Sequence, residues 1–133
     1  MTRDQRQITF LTLPGIYSSG PEHWQTRWEA SDPRFRRVQQ DDWEHPRPRA
    51  WVANIVAAVE ATPPPIVFVA HSLGCHAVAR ASNEPVVAQR VAAALLVAPP
   101  DLDDERNSAY DMADFLPMVA RRLPFQSLGC QQR

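Results

Sequence analysis

Three continuous apolar runs, separated by segments with helical spacing, constrain this 133-residue chain more than any other feature. The runs are ITFLTL at residues 8–13, IVFVA at 66–70 and VAAALLVA at 91–98. Strands that are buried on both faces read as unbroken apolar segments, whereas half-exposed strands alternate between apolar and polar residues. The pattern therefore predicts an α/β fold, with a parallel sheet flanked by helices in three layers.

Helices are predicted between these strands. One begins at Pro21, a second spans residues 49–61 and a third spans about residues 73–83. The second has an apolar stripe made of Trp51, Ile55 and Val59. A short strand is expected within residues 34–40, and the acidic segment after Pro99 is expected to form loops.

Length and composition predict a single domain over residues 1–133. The net charge of −1 gives no concentrated positive face, so neither nucleic acid nor an anionic membrane is an expected partner. The longest apolar run is too short to span a bilayer, and residues 1–7 lack the apolar core of a signal peptide. Two cysteines make no disulfide framework, and we expect a cytoplasmic protein without metal or cofactor.

A serine stands between the second apolar run and the third helix, in the pentapeptide Ala70-His71-Ser72-Leu73-Gly74. In a nucleophile elbow a serine occupies a strained turn between strand and helix, and residues two places to either side must be small. Ala70 and Gly74 meet that requirement. Ser72 is therefore predicted to be a catalytic nucleophile at the carboxyl end of a central strand, with an ordinary turn serine as the alternative.

The same turn predicts a site for an oxyanion. The backbone N–H of Leu73 follows the nucleophile at the start of a helix, where the helix dipole favours negative charge. A second N–H is expected from the loop after the first strand, and Ile16, next to Tyr17, is the predicted donor.

Several blocks of the sequence carry a family resemblance: LPGIYSSGPEHWQTRWE, RVQQDDWEHPRPRAWV, VFVAHSLGCHAVAR, ALLVAPPD and LPFQS. Together they resemble the small bacterial YdeN-like serine hydrolases, the family related to retinoblastoma-binding protein 9. The resemblance covers the chain up to about Ser127. It implies an α/β-hydrolase fold of minimal size and a Ser, Asp, His triad in that order, with Ser72 at the nucleophile position.

The other two triad positions have no match here. After Ser72 the only histidine is His76, one turn along the same helix, where its side chain is not expected to reach the serine oxygen. The aspartates that follow are expected to be solvated: Asp101, Asp103, Asp104, Asp111 and Asp114. The resemblance implies that the domain is C-terminally truncated and lacks its last strands. The tail GCQQR is neither strand-like nor family-like, and we hypothesise that a frameshift produced it.

Two functions remain open. The first is a serine hydrolase that transfers the acyl group of a small ester, thioester or amide to water and is crippled by the absent Asp and His. The second is an inactive truncated product or a binding module. A flavodoxin-like nucleotide binder ranks below both because a Gly-rich phosphate loop is absent. With its last strands absent, residues 91–98 would lie at or near a sheet edge, which predicts self-association.

Overall fold

The computed structural model describes residues 7–119 and 122–130, and within them five strands form one sheet. The strands are β1 (Thr9–Leu13), β2 (Phe35–Arg37), β3 (Ile66–His71), β4 (Val91–Val97) and β5 (Gln126–Cys130). Their order across the sheet is β2-β1-β3-β4-β5, and every neighbouring pair is parallel. The predicted parallel sheet is therefore confirmed.

Four α-helices connect the first four strands in the described part of the chain. They are α1 (Trp24–Ser31), α2 (Pro48–Glu60), α3 (Leu73–Ala81) and α4 (Pro85–Arg90). The first helix begins three residues later than predicted, because the His23 side chain caps it by accepting a hydrogen bond from the Gln25 N–H. The predicted helix from residue 73 ends at Ala81, and α4 follows as a separate helix with Pro85 in its first turn.

One face of the sheet packs against α2 and α3. Leu11, Phe68 and Ala94 are register neighbours on β1, β3 and β4, so their side chains share a face. All three belong to a single buried cluster with residues of both helices. The predicted stripe on α2 is confirmed as part of it: Trp51, Ile55 and Val59.

The opposite face of the sheet packs against α1. Phe10 and Phe35 are register neighbours and their rings stack with centroids 4.5 Å apart. Trp28 of α1 lies edge-on to Phe35 at 5.8 Å between ring centroids. Helices therefore lie on both faces, as predicted for a three-layer fold.

The last strand differs from the expectation for the tail. Residues Gly129 and Cys130 were expected to be neither strand-like nor family-like, but they complete β5, which pairs with β4 in the register Leu95 to Leu128. The expectation was wrong because ladder hydrogen bonds on an open strand override weak local propensity. β5 is thus the edge strand, β4 lies one strand inside it, and residues 131–133 lie outside the described chain. None of the described helices has the length and apolarity needed to cross a bilayer.

Candidate active site

Ser72 occupies the junction between β3 and α3, where the chain turns sharply. Its backbone angles are φ 56° and ψ −126°, a conformation that costs a non-glycine residue about 1–3 kcal/mol. The Ser72 N–H donates to the Val97 carbonyl at 2.9 Å, and the Cys75 N–H donates to the Ser72 carbonyl at 2.9 Å. The strained residue is therefore held by β4 on one side and by the first turn of α3 on the other.

The crossing of β1 and α3 leaves no room for side chains beside this turn. A Cβ atom on Gly74 would lie 2.1 Å from the Leu13 carbonyl oxygen, a distance that real Cβ atoms do not reach. Ala70, two residues before the serine, is completely buried. Both positions thus have the small residues that the sequence analysis required around Ser72.

Gly15, in the loop after β1, faces the serine directly. A Cβ atom there would lie 2.9 Å from the Ser72 Cβ, 3.1 Å from the Leu73 N and 3.2 Å from the Ser72 Oγ. The sequence analysis did not single out this residue. The signal that could have found it is the Pro14-Gly15 pair that ends the first buried strand, since glycine permits close backbone approach.

The Leu73 amide lies beside this approach, and Ile16 lines the cavity next to it. Leu73 is the first residue of α3, so its N–H has no partner within the helix. Among residues 7–119 and 122–130, neither this N–H nor that of Ile16 donates to a backbone carbonyl outside regular structure. The neighbouring Tyr17 N–H, in contrast, donates to the Trp43 carbonyl at 2.8 Å and is therefore occupied.

The loop after β1 is held in an unusual conformation by a partly buried arginine. Tyr17 and Ser18 have left-handed φ angles of 67° and 64°. Arg37 donates from Nη1 to Ser18 Oγ at 3.2 Å and to the Ser19 carbonyl at 3.1 Å. Its Nη2 pairs with Glu29 at 2.9 Å, so the guanidinium links the loop to α1.

A buried amide ties the same loop to the sheet. Gln25 is fully buried, and its Nε2 donates to the carbonyls of Leu13 at 3.3 Å and Val69 at 3.0 Å. Its Oε1 accepts from the Ser19 hydroxyl at 2.6 Å. Gln25 therefore joins the carboxyl ends of β1 and β3 to the loop beside Ser72, although the helical pattern alone gave no reason to single it out.

The serine opens into a cavity of about 320 Å³. It is lined by Ile16, Tyr17, Ser72, Pro100, Asn107, Tyr110 and Met112. The far wall comes from the segment after β4, which was expected to be a plain acidic loop. The rings of Tyr17 and Tyr110 stand 6.1 Å apart between centroids with an interplanar angle of 55°.

Two histidines form a pair next to the serine. His23 Nδ1 accepts the capping hydrogen bond from the Gln25 N–H at 3.1 Å, so its proton is on Nε2. That Nε2 lies 3.3 Å from the Nδ1 of His71, the residue before Ser72. Burial lowers the pKa of His23, the nearby His71 and Arg37 lower it further, and Glu29 opposes them.

The remaining histidines are placed away from the serine oxygen. His76 Nε2 lies 2.7 Å from the Pro100 carbonyl, to which it donates, and burial lowers its pKa. His45 is exposed beside Asp42. Throughout the part of the chain that the structure describes, which contains all four histidines, no imidazole forms a hydrogen bond with Ser72 Oγ.

The carboxylates after β4 lie at the surface, with Asp104 half-buried, and three of them pair with arginines. Asp111 and Asp114 pair with Arg47 at 3.1 Å and 3.5 Å, and Asp104 pairs with Arg106 at 2.6 Å. The expectation of a solvated acidic segment fits these contacts. In the described residues, no group of three or more His, Cys, Asp or Glu side chains could hold a metal ion.

Two further features lie outside this cavity. The Cys75 thiol is buried one turn beyond Ser72, and burial raises its pKa to about 12, which leaves it unreactive. A larger groove of about 580 Å³ runs between α2 and the end of α3, lined in part by Val52, Val56 and Arg80. No residue of the serine turn lines it, so its size does not make it the site of the chemistry.

A family model described as serine hydrolase matches residues 10–130. The chain belongs to the serine hydrolase family. Among curated proteins, none matches this serine hydrolase significantly. Among solved structures, it is similar to a chain described as a YdeN-like hydrolase from Pectobacterium atrosepticum, with a TM-score of 0.76 and 26% identity.

That similarity covers 92% of this serine hydrolase and 62% of the Pectobacterium chain. The sequence therefore spans less than two thirds of the length of its solved relative. Together with the five parallel strands, the similarity confirms an α/β-hydrolase-like fold. The resemblance to YdeN-like hydrolases expected from the sequence is likewise confirmed.

Proposed function

We propose that this serine hydrolase forms an acyl-enzyme on Ser72. The observation that carries the proposal is the position of Ser72 in a strained strand-to-helix turn, with Gly15 and the Leu73 amide directly beside its hydroxyl. These features support the assignment of the turn as a nucleophile elbow. The open cavity in front of the hydroxyl gives a substrate access.

In the proposed reaction the Ser72 oxygen attacks the carbonyl carbon of an ester, thioester or amide and passes its proton to a solvent water, which later returns a proton to the leaving group. The carbonyl oxygen becomes an oxyanion, which accepts hydrogen bonds from the N–H groups of Leu73 and Ile16. The bond to the leaving group then breaks, and the leaving group takes a proton. Water hydrolyses the acyl-enzyme and regenerates the serine.

Turnover by these residues alone is proposed to be slow. A serine hydroxyl needs a base, and the four histidines of the chain make their hydrogen bonds elsewhere. Loss of the histidine in a comparable triad lowers kcat on the order of a millionfold. The same feature favours the second candidate, a module that binds acyl compounds without turnover.

The proposed substrate is a small molecule, since the cavity of about 320 Å³ lies at the lower end of the range for ligand pockets. We also propose that the protein self-associates through β5, because all five residues of this edge strand are exposed. The cytoplasmic location stays a prediction.

The test is covalent labelling by a small alkyl fluorophosphonate, followed by intact mass measurement. We expect slow labelling of the wild-type chain, acceleration by added imidazole acting as a soluble base, and no labelling of Ser72→Ala. Folded wild-type protein that gains no mass even with imidazole would refute an acyl-transfer role and favour the binding module. Equal labelling of Ser72→Ala would show that the reactive residue lies elsewhere.

A further inference from the structure

We propose that Tyr17 and Tyr110 form an aromatic clamp, a tilted pair of rings against whose open side an uncharged aromatic group of the substrate packs. The inference rests on the proposed role of Ser72, because both rings line the cavity into which that serine opens. Their centroids are 6.1 Å apart and their planes are tilted by 55°. The proposal names the substrate class: an ester, thioester or amide whose acyl or leaving group carries one aromatic ring.

Both tyrosines have fixed backbones but exposed rings. The Tyr17 N–H is bound to the Trp43 carbonyl at 2.8 Å, while its side chain is 56% exposed. The Tyr110 N–H donates to Asn107 at 3.1 Å and its carbonyl accepts from Met112 at 2.9 Å, while its side chain is 43% exposed. Exposed aromatic rings on a fixed backbone are typical of binding sites, because a bound ligand covers the apolar surface that the rings leave exposed to water.

The geometry of the pair selects the mode of contact. A flat ring sandwiched between two others needs roughly 7 Å between their planes, so a separation of 6.1 Å with a tilt leaves no room for one. Aromatic rings also associate edge to face at centroid distances of about 4.5–7 Å. A substrate ring can therefore pack against the open side of the pair, in contact with both tyrosines.

Charge decides between neutral and ionic substrates. Among residues 7–119 and 122–130, those that line the cavity carry no charge, and their polar groups are the neutral ones of serine, asparagine and tyrosine. The two carboxylates nearest in sequence to Tyr110, those of Asp111 and Asp114, both pair with Arg47, at 3.1 Å and 3.5 Å. A carboxylate or ammonium group in the cavity would be desolvated without a partner, which disfavours its binding.

The test compares two fluorophosphonate probes that differ only in a benzyl or an ethyl group. With imidazole present, we expect the benzyl probe to label the wild-type protein about tenfold faster. Tyr17→Ala and Tyr110→Ala should each lower that ratio about threefold to tenfold. Tyr17→Phe and Tyr110→Phe, which keep the rings, and Leu128→Ala, which removes remote apolar surface, should preserve the ratio.

Equal rates for the two probes in the wild-type protein would overturn the clamp while leaving the role of Ser72 intact. If neither probe reacts, the proposed role of Ser72 is refuted. The clamp is then tested separately, by an NMR titration of the folded Ser72→Ala protein with benzamide. Binding that Tyr17→Ala abolishes supports the clamp, and absence of binding overturns it. Tighter binding of benzylamine or benzoate than of benzamide would overturn the preference for an uncharged ring.

Discussion

The Leu13 carbonyl oxygen occupies the place that a side chain on residue 74 would need. A Cβ atom on Gly74 would lie 2.1 Å from that oxygen. Because the carbonyl belongs to a central strand and Gly74 to the first turn of α3, neither can move without separating helix from sheet. The close contact fixes how deeply the serine turn sits on the sheet.

Gly74→Ala is therefore expected to destabilise the protein by about 3 kcal/mol or more, at the upper end of the cost of overpacking. The measurement is the free energy of unfolding in urea. Gly20→Ala is the matched control, since a Cβ there meets nothing within 4 Å. Similar midpoints for the two variants would contradict the close crossing of β1 and α3.

Gly15→Ala is expected to impair the chemistry as well as the fold, because the added methyl group would also lie 2.9 Å from the Ser72 Cβ. The added methyl group would lie 3.1 Å from the Leu73 N and 3.2 Å from the Ser72 Oγ, where the proposed oxyanion forms. Loss of one oxyanion donor costs about a hundredfold or more in rate. We expect imidazole-assisted fluorophosphonate labelling to slow by at least that factor, and an unchanged rate would place the oxyanion site elsewhere.

Gln25→Glu is expected to make stability depend on pH. The new carboxylate would be buried against the Leu13 and Val69 carbonyls, so its pKa in the folded protein would rise above its ordinary value. The folded state would then bind a proton that the unfolded chain releases, and the variant would recover stability as the pH falls. At pH 8 we expect a loss of about 2–4 kcal/mol relative to wild type.

The control for this variant is Gln89→Glu, which adds the same charge at an exposed position on α4. Urea unfolding should show that the difference in free energy of unfolding between wild type and Gln25→Glu is smaller at pH 5.5 than at pH 8. For the control variant this difference should be the same at both pH values. If this difference does not depend on pH for either variant, the Gln25 side chain is not buried against the carbonyls of β1 and β3.

Acid should weaken the fold through the histidine pair. Because the pKa of His23 is lowered in the folded protein, the unfolded chain binds a proton first, and stability decreases as the pH falls below about 6.5. His23→Asn keeps a capping side chain but removes this titration, so its loss of stability in acid should be smaller. Because the pKa of His76 is also lowered, the stability of the variant should still decrease somewhat in acid.

The measurement is the free energy of unfolding between pH 5 and pH 8, with His45→Asn at an exposed position as the control. If the free energy of unfolding of His23→Asn decreases with falling pH as steeply as that of the wild type, the prediction is contradicted.

The exposed edge strand should govern self-association. Leu128 is 67% exposed on β5, and residues 126–130 carry no charge that would discourage pairing with another sheet. Leu128→Lys is expected to shift the protein toward the monomer in sedimentation velocity at matched concentration. Wild-type protein that sediments as a monomer at every concentration would refute association through β5.

The sequence predicted the parts of this structure that depend on local pattern. Unbroken apolar runs identify β1, β3 and β4 as strands of one parallel sheet, although β4 is only partly buried, and the small residues around Ser72 identify a tight crossing. Gln25 could not be found this way, because an isolated glutamine on a helix is ordinarily exposed. Its role arises only when two strand ends and a loop meet around its amide.

The cavity wall was missed for the same reason. Tyr110 and Met112 lie in an irregular segment, and their position opposite Tyr17 depends on how that segment returns across the sheet edge. The strand β5 was not predicted, since its pairing comes from the open side of β4 rather than from the propensity of Gly129 and Cys130.

The hydrogen bond from the Ser72 N–H to the Val97 carbonyl anchors the Ser72 residue to the sheet. Much of the wall around its hydroxyl, in contrast, belongs to residues 98–115, which contain only short 3-10 turns. Replacements in that segment can reshape what the pocket admits without displacing the hydroxyl, because loops tolerate change that a sheet does not. The molecule thus separates the part that must stay constant for the proposed acyl chemistry from the part that can diversify.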